Sequence, residues 1–169
     1  MIRQGAGTDA QTQPTLPFQI VKATWRDLND LRLLEYECFG SDAWPLIDLI
    51  SVLTLPGIVR LKAVIDDKMA GFIGGDPRPG EKTGWITTLG VFERYRRRGI
   101  ASALLRACEE KLPLPLLKLC VRRTNESAIA LYFQHGYHAV DIWTRYYTSG
   151  EDALVLEKEN PYYLKTTHV

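Results

Sequence analysis

The stretch RYRRRGIASALL, from Arg94 to Leu105, places four arginines and a glycine directly before an apolar pattern of helical period. After Gly99, apolar residues recur at positions 100, 103, 104, 107 and 108, which predicts a helix. The preceding segment, WITTLGV (85–91), has no charged residue and is typical of a buried strand. A second buried strand, LLKLCV (116–121), follows the helix. We therefore expect a parallel strand–helix–strand unit with a right-handed crossover.

The four arginines of this loop can solvate a surface corner, contact nucleic acid or help to bind a phosphate group. The free amides and positive dipole of a helix N-terminus favour an anion, and glycine allows its close approach. A formal net charge of +1 disfavours a nucleic-acid partner. The loop has neither the Gly-Lys-Ser/Thr ending of a Walker loop nor the three glycines of a dinucleotide fingerprint.

Outward from this unit, the hydrophobic pattern predicts the rest of the fold. The expected order is strand, two helices, three strands, helix, strand, helix and two strands. Alternation over 59–65 predicts a hairpin, and the last two strands are predicted within 137–147 and 152–159. Apart from the parallel pair we expect antiparallel neighbours, so the predicted class is α+β with a mixed sheet.

Length and composition predict one soluble domain in a reducing, cytoplasmic compartment. The chain has 169 residues, of which 46% are hydrophobic, and its three cysteines form no metal or disulfide pattern. No apolar run approaches membrane-spanning length, so no membrane partner is expected. Because the cysteines form no metal-binding pattern, no metal is expected either. We expect a flexible tail over 1–17 rather than a secretory signal, a domain over 18–158 and a second tail over 159–169.

Two motifs resemble the GNAT superfamily of acyl-CoA N-acyltransferases. Arg96-x-x-Gly99-x-Ala101 is similar to the family's pyrophosphate loop, Arg/Gln-x-x-Gly-x-Gly/Ala. The segment NESAIALYFQHGY (125–137) is similar to Asn-x-x-Ala-x-x-Leu-Tyr-x-x-x-Gly-Phe/Tyr. With the element order, this resemblance implies the GNAT fold: a mixed, mostly antiparallel seven-stranded sheet with a splayed parallel central pair, flanked by four helices.

The resemblance also implies which residues bind the co-substrate, acetyl-CoA (coenzyme A). The diphosphate would meet the amides that open the helix, and the pantetheine arm would pair with the backbone edge of the fourth strand, where Gly90 has no obstructing side chain. Asn125 would approach the thioester end, and is equally interpretable as a plain N-cap. The implied binding residues are Leu89, Gly90, Val91, Arg96, Arg97, Arg98, Gly99, Ile100, Ala101, Ser102, Asn125 and Ala128.

Tyr132 is the catalytic residue that the resemblance implies. Transfer of an acetyl group to an amine expels a thiolate, and a hydroxyl near the sulfur can donate a proton to it. The alternative is an aromatic core residue on the helical stripe shared with Ala128 and Leu131.

The general base stays open. Many relatives carry a glutamate on the fourth or fifth strand, but WITTL (85–89) has no carboxylate, and Cys120 stands where the ribosomal-protein N-terminal acetyltransferases tend to have glutamate. We expect a water relay involving Thr87 or Thr88. A nucleophilic Cys120 is the less favoured alternative, because buried cysteines are usually inert.

Two further stretches resemble the ribosomal-protein alanine N-acetyltransferase group. RYYTSGEDALVLEKE is similar to its Arg-x-Tyr-Tyr…Glu-Asp-Ala ending, and EYECFGSDAWP to its first-helix loop, with the Pro-Trp order reversed. The resemblance implies that Phe39, Tyr146 and Tyr147 border the acceptor groove. The alternative for the two tyrosines is a position on opposite faces of a strand.

The sequence thus predicts an acetyl-CoA-dependent N-acetyltransferase in which a primary amine attacks directly within a ternary complex. A protein N-terminal α-amine is the leading acceptor. Two alternatives stay open: a small-molecule amine acetyltransferase and a non-catalytic acyl-CoA sensor. The chain is expected to act as a monomer or homodimer.

Overall fold

The computed structural model describes residues 17–163, so most of both predicted tails (1–16 and 164–169) lies outside the described residues. The elements follow the predicted order. They are β1 (Gln19–Lys22), α1 (Leu28–Phe39), α2 (Leu46–Thr54), β2 (Val59–Ile65), β3 (Lys68–Arg78), β4 (Thr83–Val91), α3 (Ile100–Lys111), β5 (Leu116–Arg122), α4 (Glu126–Gln134), β6 (His138–Trp143) and β7 (Ala153–Glu159).

The described strands form one seven-stranded sheet in the order β1-β2-β3-β4-β5-β7-β6. Only β4 and β5 run parallel, which confirms the mixed α+β sheet. Their pairing covers Thr83–Ile86 against Leu116–Leu119, although β4 continues along β3 as far as Val91. The predicted splay is therefore present, and the last residues of β4 have a strand neighbour on one side alone.

Helices cover both faces of this sheet. One buried cluster joins α3 to β2–β5 and includes Leu104 and Leu117. The other joins α1 and α2 to β3, through Leu34, Leu49 and Phe72. Because the sheet separates the two clusters, α1 and α3 approach β4 from opposite faces.

The beginning of α1 is fixed by a capping box at a preceding single-turn 3-10 helix. The Asp27 carboxylate accepts a hydrogen bond from the Thr24 amide at 2.8 Å. Its other oxygen pairs with Lys62 Nζ of β2 at 2.5 Å. These contacts tie the helix to the sheet and so set the position of its far end, which borders the site described below.

A buried ion pair joins α3 to the other end of the sheet. Lys158 Nζ of β7 lies 2.9 Å from the carboxylate of Glu109, whose side chain is 1% exposed. The Tyr137 hydroxyl donates to the same carboxylate at 2.9 Å, and Lys158 also donates to the His135 carbonyl. The pair therefore connects α3, β7 and the turn after α4.

The domain includes residues that the sequence assigned to the C-terminal tail. β7 reaches Glu159, and the buried Asn160 follows it. The side-chain Nδ2 of Asn160 donates to the carbonyls of Glu109, Leu112 and Leu114, at 3.2, 2.8 and 3.0 Å. A side chain that satisfies three carbonyls at the end of α3 belongs to the packed domain.

The predicted strand over 137–147 is wrong at its C-terminal end. β6 ends at Trp143, and Arg145 has a positive φ of 51°, which breaks the extended conformation. The Tyr147 amide then donates to Glu151, and the Gly150 amide donates back to Tyr147. Tyr147 and its neighbour Tyr146 therefore lie in the compact β6–β7 connection, not on opposite faces of a strand.

Across residues 17–163, the helices are all too short or too polar to traverse a bilayer.

Candidate active site

A cavity of about 380 Å³ lies where β4 and β5 separate. Its walls come from α1, the α1–α2 connection, β3, β4, β5, α4, β6 and the β6–β7 connection. The predicted site residues that line it are Phe39, Leu89, Asn125, Ala128, Tyr132, Tyr146 and Tyr147. The fold thus brings the predicted catalytic and acceptor residues together around one opening.

The predicted diphosphate residues form a separate part of the site, at the start of α3. Gly99 has a positive φ of 76°, and the first α3 hydrogen bond runs from the Ala103 amide to its carbonyl. Within residues 17–163, the amides of 97–102 donate to no protein acceptor. This row of free donors fits an anionic group, because helix N-termini offer unsatisfied amides and a positive dipole.

The loop arginines leave this region positively charged. None of the four forms an ion pair within the described part of the chain. Arg94 lies over Phe92, at 4.6 Å from the ring centre, and Arg98 lies over Tyr95 at 5.7 Å. Arg97 and Arg98 make no hydrogen bond through their guanidinium groups to the residues described, so they can meet an anion.

Arg96 has a different environment from the other arginines of the loop. Its Nε donates to the Val91 carbonyl at 3.1 Å, and its Nη2 lies 3.9 Å from Cys38 Sγ. Arg96 therefore holds the loop against the end of β4 and against α1. This contact places the start of α3 directly beside the unpaired end of β4.

Two other predicted residues have contacts that the sequence did not indicate. A Cβ on Gly90 would lie 3.2 Å from Cys38 Sγ and 3.4 Å from Leu34 Cγ, so this glycine makes room for α1. The role of Gly90 toward a ligand at the backbone edge stays a prediction. The Ser102 hydroxyl contacts His135 Nε2 at 2.6 Å, which leaves its amide for an anion.

Tyr132 projects from α4 to the cavity, and its side chain is 7% exposed. Its ring packs edge-on against Tyr137 at 5.8 Å. Burial raises the pKa of the Tyr132 hydroxyl above its ordinary value, so it keeps its proton at neutral pH. The hydroxyl bonds to no other residue within 17–163, which leaves its proton available at the cavity.

Asn125 caps α4 as the sequence allowed. Its side-chain oxygen accepts hydrogen bonds from the Ala128 amide and the Ser127 hydroxyl, both at 3.1 Å. Because Asn125 and Ala128 also line the cavity, the N-cap position is compatible with a binding role.

Glu35 is the functional candidate that the sequence reasoning missed. It lies on α1, is 2% exposed, and lines the same cavity as Tyr132. Its carboxylate accepts from the Thr88 hydroxyl at 2.8 Å and from the Trp44 amide at 3.4 Å. Within the described residues it pairs with no lysine or arginine. Burial raises the pKa of Glu35, and these two hydrogen bonds partly oppose that shift.

The family resemblance points to a base on the fourth or fifth strand. Glu35, however, shares the buried stripe of α1 with Leu31, Leu34 and Cys38, at spacings of three and four residues. A carboxylate on an apolar helical stripe was the available signal. The splay of the sheet brings that helix face to the cavity, and no local pattern reveals this.

The two threonines named for the water relay lie at a β-bulge in β4. Gly75 pairs with Ile86 and Gly74 with Thr88, so the intervening Thr87 has no partner on β3. Thr88 holds the Glu35 carboxylate, whereas the buried Thr87 hydroxyl contacts no polar partner among the described residues. The bulge therefore directs Thr88 toward Glu35.

Cys120 lines the cavity but has the properties of a neutral thiol. Burial raises its pKa to about 11, and its contact with the Tyr146 hydroxyl opposes this only in part. A thiol with this pKa is protonated at neutral pH, which argues against a covalent route through Cys120.

Four aromatic side chains form a continuous surface along the acceptor side of the cavity. Successive ring centres are 5.9, 5.5 and 5.1 Å apart, and we call this surface the aromatic wall; its members are Trp85, Trp143, Tyr146 and Tyr147. Arg78 lies 5.3 Å from the ring centre at one end, and Arg122 lies 4.3 Å from the ring centre at the other. The sequence reasoning identified the tyrosines but neither tryptophan.

Ion pairs hold the two connections that border the cavity. Arg122 of β5 pairs with Asp42 of the α1–α2 connection and, at 2.7 Å, with Glu151 of the β6–β7 connection. Asp42 also accepts from the Thr148 amide at 3.0 Å. Hydrogen bonds from Thr124 and Arg122 lower the pKa of Glu151, so it stays ionised. The acceptor side is thus preorganised by contacts between distant parts of the chain.

A mixed sheet with a splayed parallel pair, free amides at the start of α3, and a buried glutamate and tyrosine on one cavity are features that an acyl-group transferase needs. The sequence model of the acetyltransferase (GNAT) family matches residues 25–137. This chain belongs to that family. It is an N-acetyltransferase, and its acyl donor is acetyl-CoA.

The most similar proteins include N-terminal acetyltransferases. The N-alpha-acetyltransferase RimI of Mycobacterium tuberculosis is 31% identical over 155 residues, covering 88% of this chain and 97% of that protein. The catalytic subunit NAA10 of the Arabidopsis thaliana N-terminal acetyltransferase A complex is 27% identical over 146 residues, covering 82% and 76%. The Escherichia coli ribosomal-protein-S18-alanine N-acetyltransferase structure superposes with a TM-score of 0.76 at 25% identity, covering 85% and 94%.

Proposed function

We propose that this protein acetylates the N-terminal α-amine of a polypeptide by direct attack in a ternary complex. The observation that carries the proposal is the placement of Glu35 and Tyr132 on one cavity, with Glu35 beside the α1–α2 connection. Both curated relatives described above carry names of N-terminal acetyltransferases, which supports the same class of acceptor.

Glu35 acts as the general base in this proposal. An attacking amine must be neutral, and an α-amine has a pKa of roughly 7.7–8.0 against about 10.4 for lysine. A carboxylate whose pKa is raised by burial is a stronger base than an exposed glutamate, and an α-amine releases its proton to it more readily than lysine does. Thr88 and the Trp44 amide fix the two carboxylate oxygens, so the base is oriented before the acceptor arrives.

Tyr132 acts as the general acid. Acetyl-CoA supplies the acetyl group as a thioester when it is bound. The Tyr132 hydroxyl keeps its proton at neutral pH because burial raises its pKa. It donates that proton to the departing sulfur in the transition state, and the proton that Glu35 takes from the amine restores the hydroxyl, so the reaction has no net proton change on the protein. Base and acid thus come from α1 and α4, on the two sides of the gap between β4 and β5.

The same proposal assigns the binding of coenzyme A to the residues around this gap. The end of β4, over Leu89–Val91, has no strand partner on the β5 side, and its backbone groups other than the Val91 carbonyl are offered to the pantetheine arm. Asn125 and Ala128 flank it from α4. The amides that open α3, together with Arg97 and Arg98, receive the diphosphate. Arg96 supports this arrangement by its contact with Val91.

A thiol-release assay with acetyl-CoA tests the proposal. The acceptors are a peptide with a free N-terminus, the same peptide with a formylated N-terminus and an internal lysine, and a panel of polyamines and aminoglycosides. We expect release with the free peptide and little with the formylated one. Faster turnover of the small amines would contradict the proposal, and acyl-CoA binding without any turnover would favour a sensor.

A further inference from the structure

The aromatic wall indicates which kind of acceptor residue fits the cavity. Its four rings line the cavity, and Trp143 and Tyr146 are 37% and 52% exposed, so they present ring surface to a ligand. Phe39 at the end of α1 and Trp44 of the α1–α2 connection line the same cavity. A side chain next to the acceptor amine would therefore lie between aromatic groups on both sides.

The charged groups along this surface are already paired. Arg78 pairs with Asp76 at 3.1 Å and lies 3.7 Å from Glu81, whereas Arg122 pairs with Asp42 and Glu151. No lysine or arginine lining the cavity is therefore left to neutralise an acidic acceptor. Glu35 has no cationic partner within 17–163, so it would repel one. An acidic side chain here would lose its hydration without compensation.

Contacts with neighbouring elements also hold the wall in position. Arg122 lies against Tyr147 and forms ion pairs with the α1–α2 and β6–β7 connections. The rings of Trp85 on β4 and Trp143 on β6 pack against each other. A small first residue would leave ring surface in contact with water. A large apolar one would cover it, and a thioether makes further favourable contacts with aromatic rings.

We propose that the acceptor carries a bulky apolar first residue, such as methionine, leucine or phenylalanine, and that Trp85 and Trp143 select it. This inference rests on the proposed N-terminal acetyltransferase function. Each added methylene in an apolar pocket typically changes kcat/KM about 10- to 200-fold. We therefore expect at least a tenfold preference for methionine over alanine at the first position.

The test is a set of peptides that differ only in the first residue: methionine, leucine, phenylalanine, alanine, serine and glutamate. We expect kcat/KM to be highest for the first three and lowest for glutamate. If the alanine or serine peptide reacts as fast as the methionine peptide, the inference is overturned and the proposed function stands. If no free N-terminus reacts, both are overturned.

Two variants locate the preference on the wall. In Trp143→Ala and Trp85→Leu, the ratio of kcat/KM for the methionine and alanine peptides should fall toward one. The matched control is Trp25→Ala, because Trp25 is 67% exposed and does not line the cavity, and it should leave the ratio unchanged. An unchanged ratio in folded wall variants overturns the assignment, and the peptide set on the unaltered protein tests the proposal even if a variant does not fold.

Discussion

Glu35 is the side chain whose chemistry depends most on its surroundings. Replacing Glu35 with glutamine keeps its shape and its acceptor for Thr88 but removes the base. General-base catalysis typically contributes about 10²- to 10⁴-fold, so kcat/KM should fall by that order. In the unaltered enzyme, kcat/KM should rise with pH through a pKa above the usual glutamate range, and Glu35→Gln should lose this dependence. Steady-state kinetics from pH 5 to 9 measure both effects.

The exposed Asp30 on the same helix provides the control, and Asp30→Asn should alter neither rate nor profile. The stability of the fold gives an independent readout. A carboxyl group whose pKa is raised on folding stabilises the native state at low pH, and that contribution disappears as pH rises through the folded-state pKa. Glu35→Gln should therefore gain stability relative to the unaltered protein as pH rises above the usual glutamate range. A constant difference would contradict the shifted pKa.

Tyr132 should affect turnover rather than affinity. Tyr132→Phe removes the proton donor and keeps the ring that packs on Tyr137. We expect kcat to fall about a hundredfold, in the range of general acid catalysis, and the calorimetric Kd for acetyl-CoA to change little. Equal loss of turnover and affinity would argue for a binding role instead.

Among single residues, the sequence motifs identified those whose role depends on their neighbours along the chain. Gly99 adopts a positive φ, which glycine tolerates, at the predicted start of α3, and Asn125 caps α4. Glu35 and Trp143 could not be found in the same way. Each reaches the cavity through the packing of an element far away in the sequence, and a motif records only neighbours along the chain.

Among the elements, α3 depends on a side chain beyond the predicted domain boundary. Asn160→Ala removes hydrogen bonds to three carbonyls near the C-terminus of this helix. Leaving buried carbonyls unsatisfied should lower the free energy of unfolding by about 1–3 kcal/mol. Urea denaturation measures the change. Asn29→Ala, at an exposed position of α1, should have little effect, and equal losses in both variants would rule out this anchoring role.

Element order and type followed from periodicity, whereas some element ends did not. β6 stops at Trp143 because Arg145 turns the chain, although Thr144, Tyr146 and Tyr147 are residue types that favour strands. The boundary after β7 was missed because Asn160 is a polar residue in a polar stretch. Its burial depends on three carbonyls that become available only when α3 and β7 pack together.

At the scale of the whole molecule, the buried ion pair of Lys158 and Glu109 connects β7 to α3, which lie on either side of α4 in the sequence. Lys158→Met would leave the Glu109 carboxylate buried without its cation. Removing one partner of a buried pair typically destabilises by about 3–5 kcal/mol, which chemical denaturation can measure. The half-buried pair of Lys118 and Glu157 has the same 2.9 Å separation and provides the control. Lys118→Met should cost about 1 kcal/mol or less, and a comparable loss in both would show that burial does not decide the effect.

On the scale of the whole molecule, the sequence predicted the part of the fold that contains the strand–helix–strand unit and the two family motifs. The acceptor side was not, because the aromatic wall depends on the order β5-β7-β6, which brings Trp143 to Trp85 across the sheet. That order is a property of the assembled sheet, and neither tryptophan lies in a pattern that marks it.

The end of β4 has a strand partner on one side only, so a bound small molecule can pair with its free edge. With Leu89–Val91 unpaired on the β5 side, a guest chain of amides could take the place of the absent strand. Occupancy by coenzyme A and the rigidity of this half of the protein would then rise together. Deuterium uptake along the end of β4 should slow when coenzyme A is added, while uptake along β2 stays the same. The end of β4 would thus be most flexible when little acetyl-CoA is present in the cell.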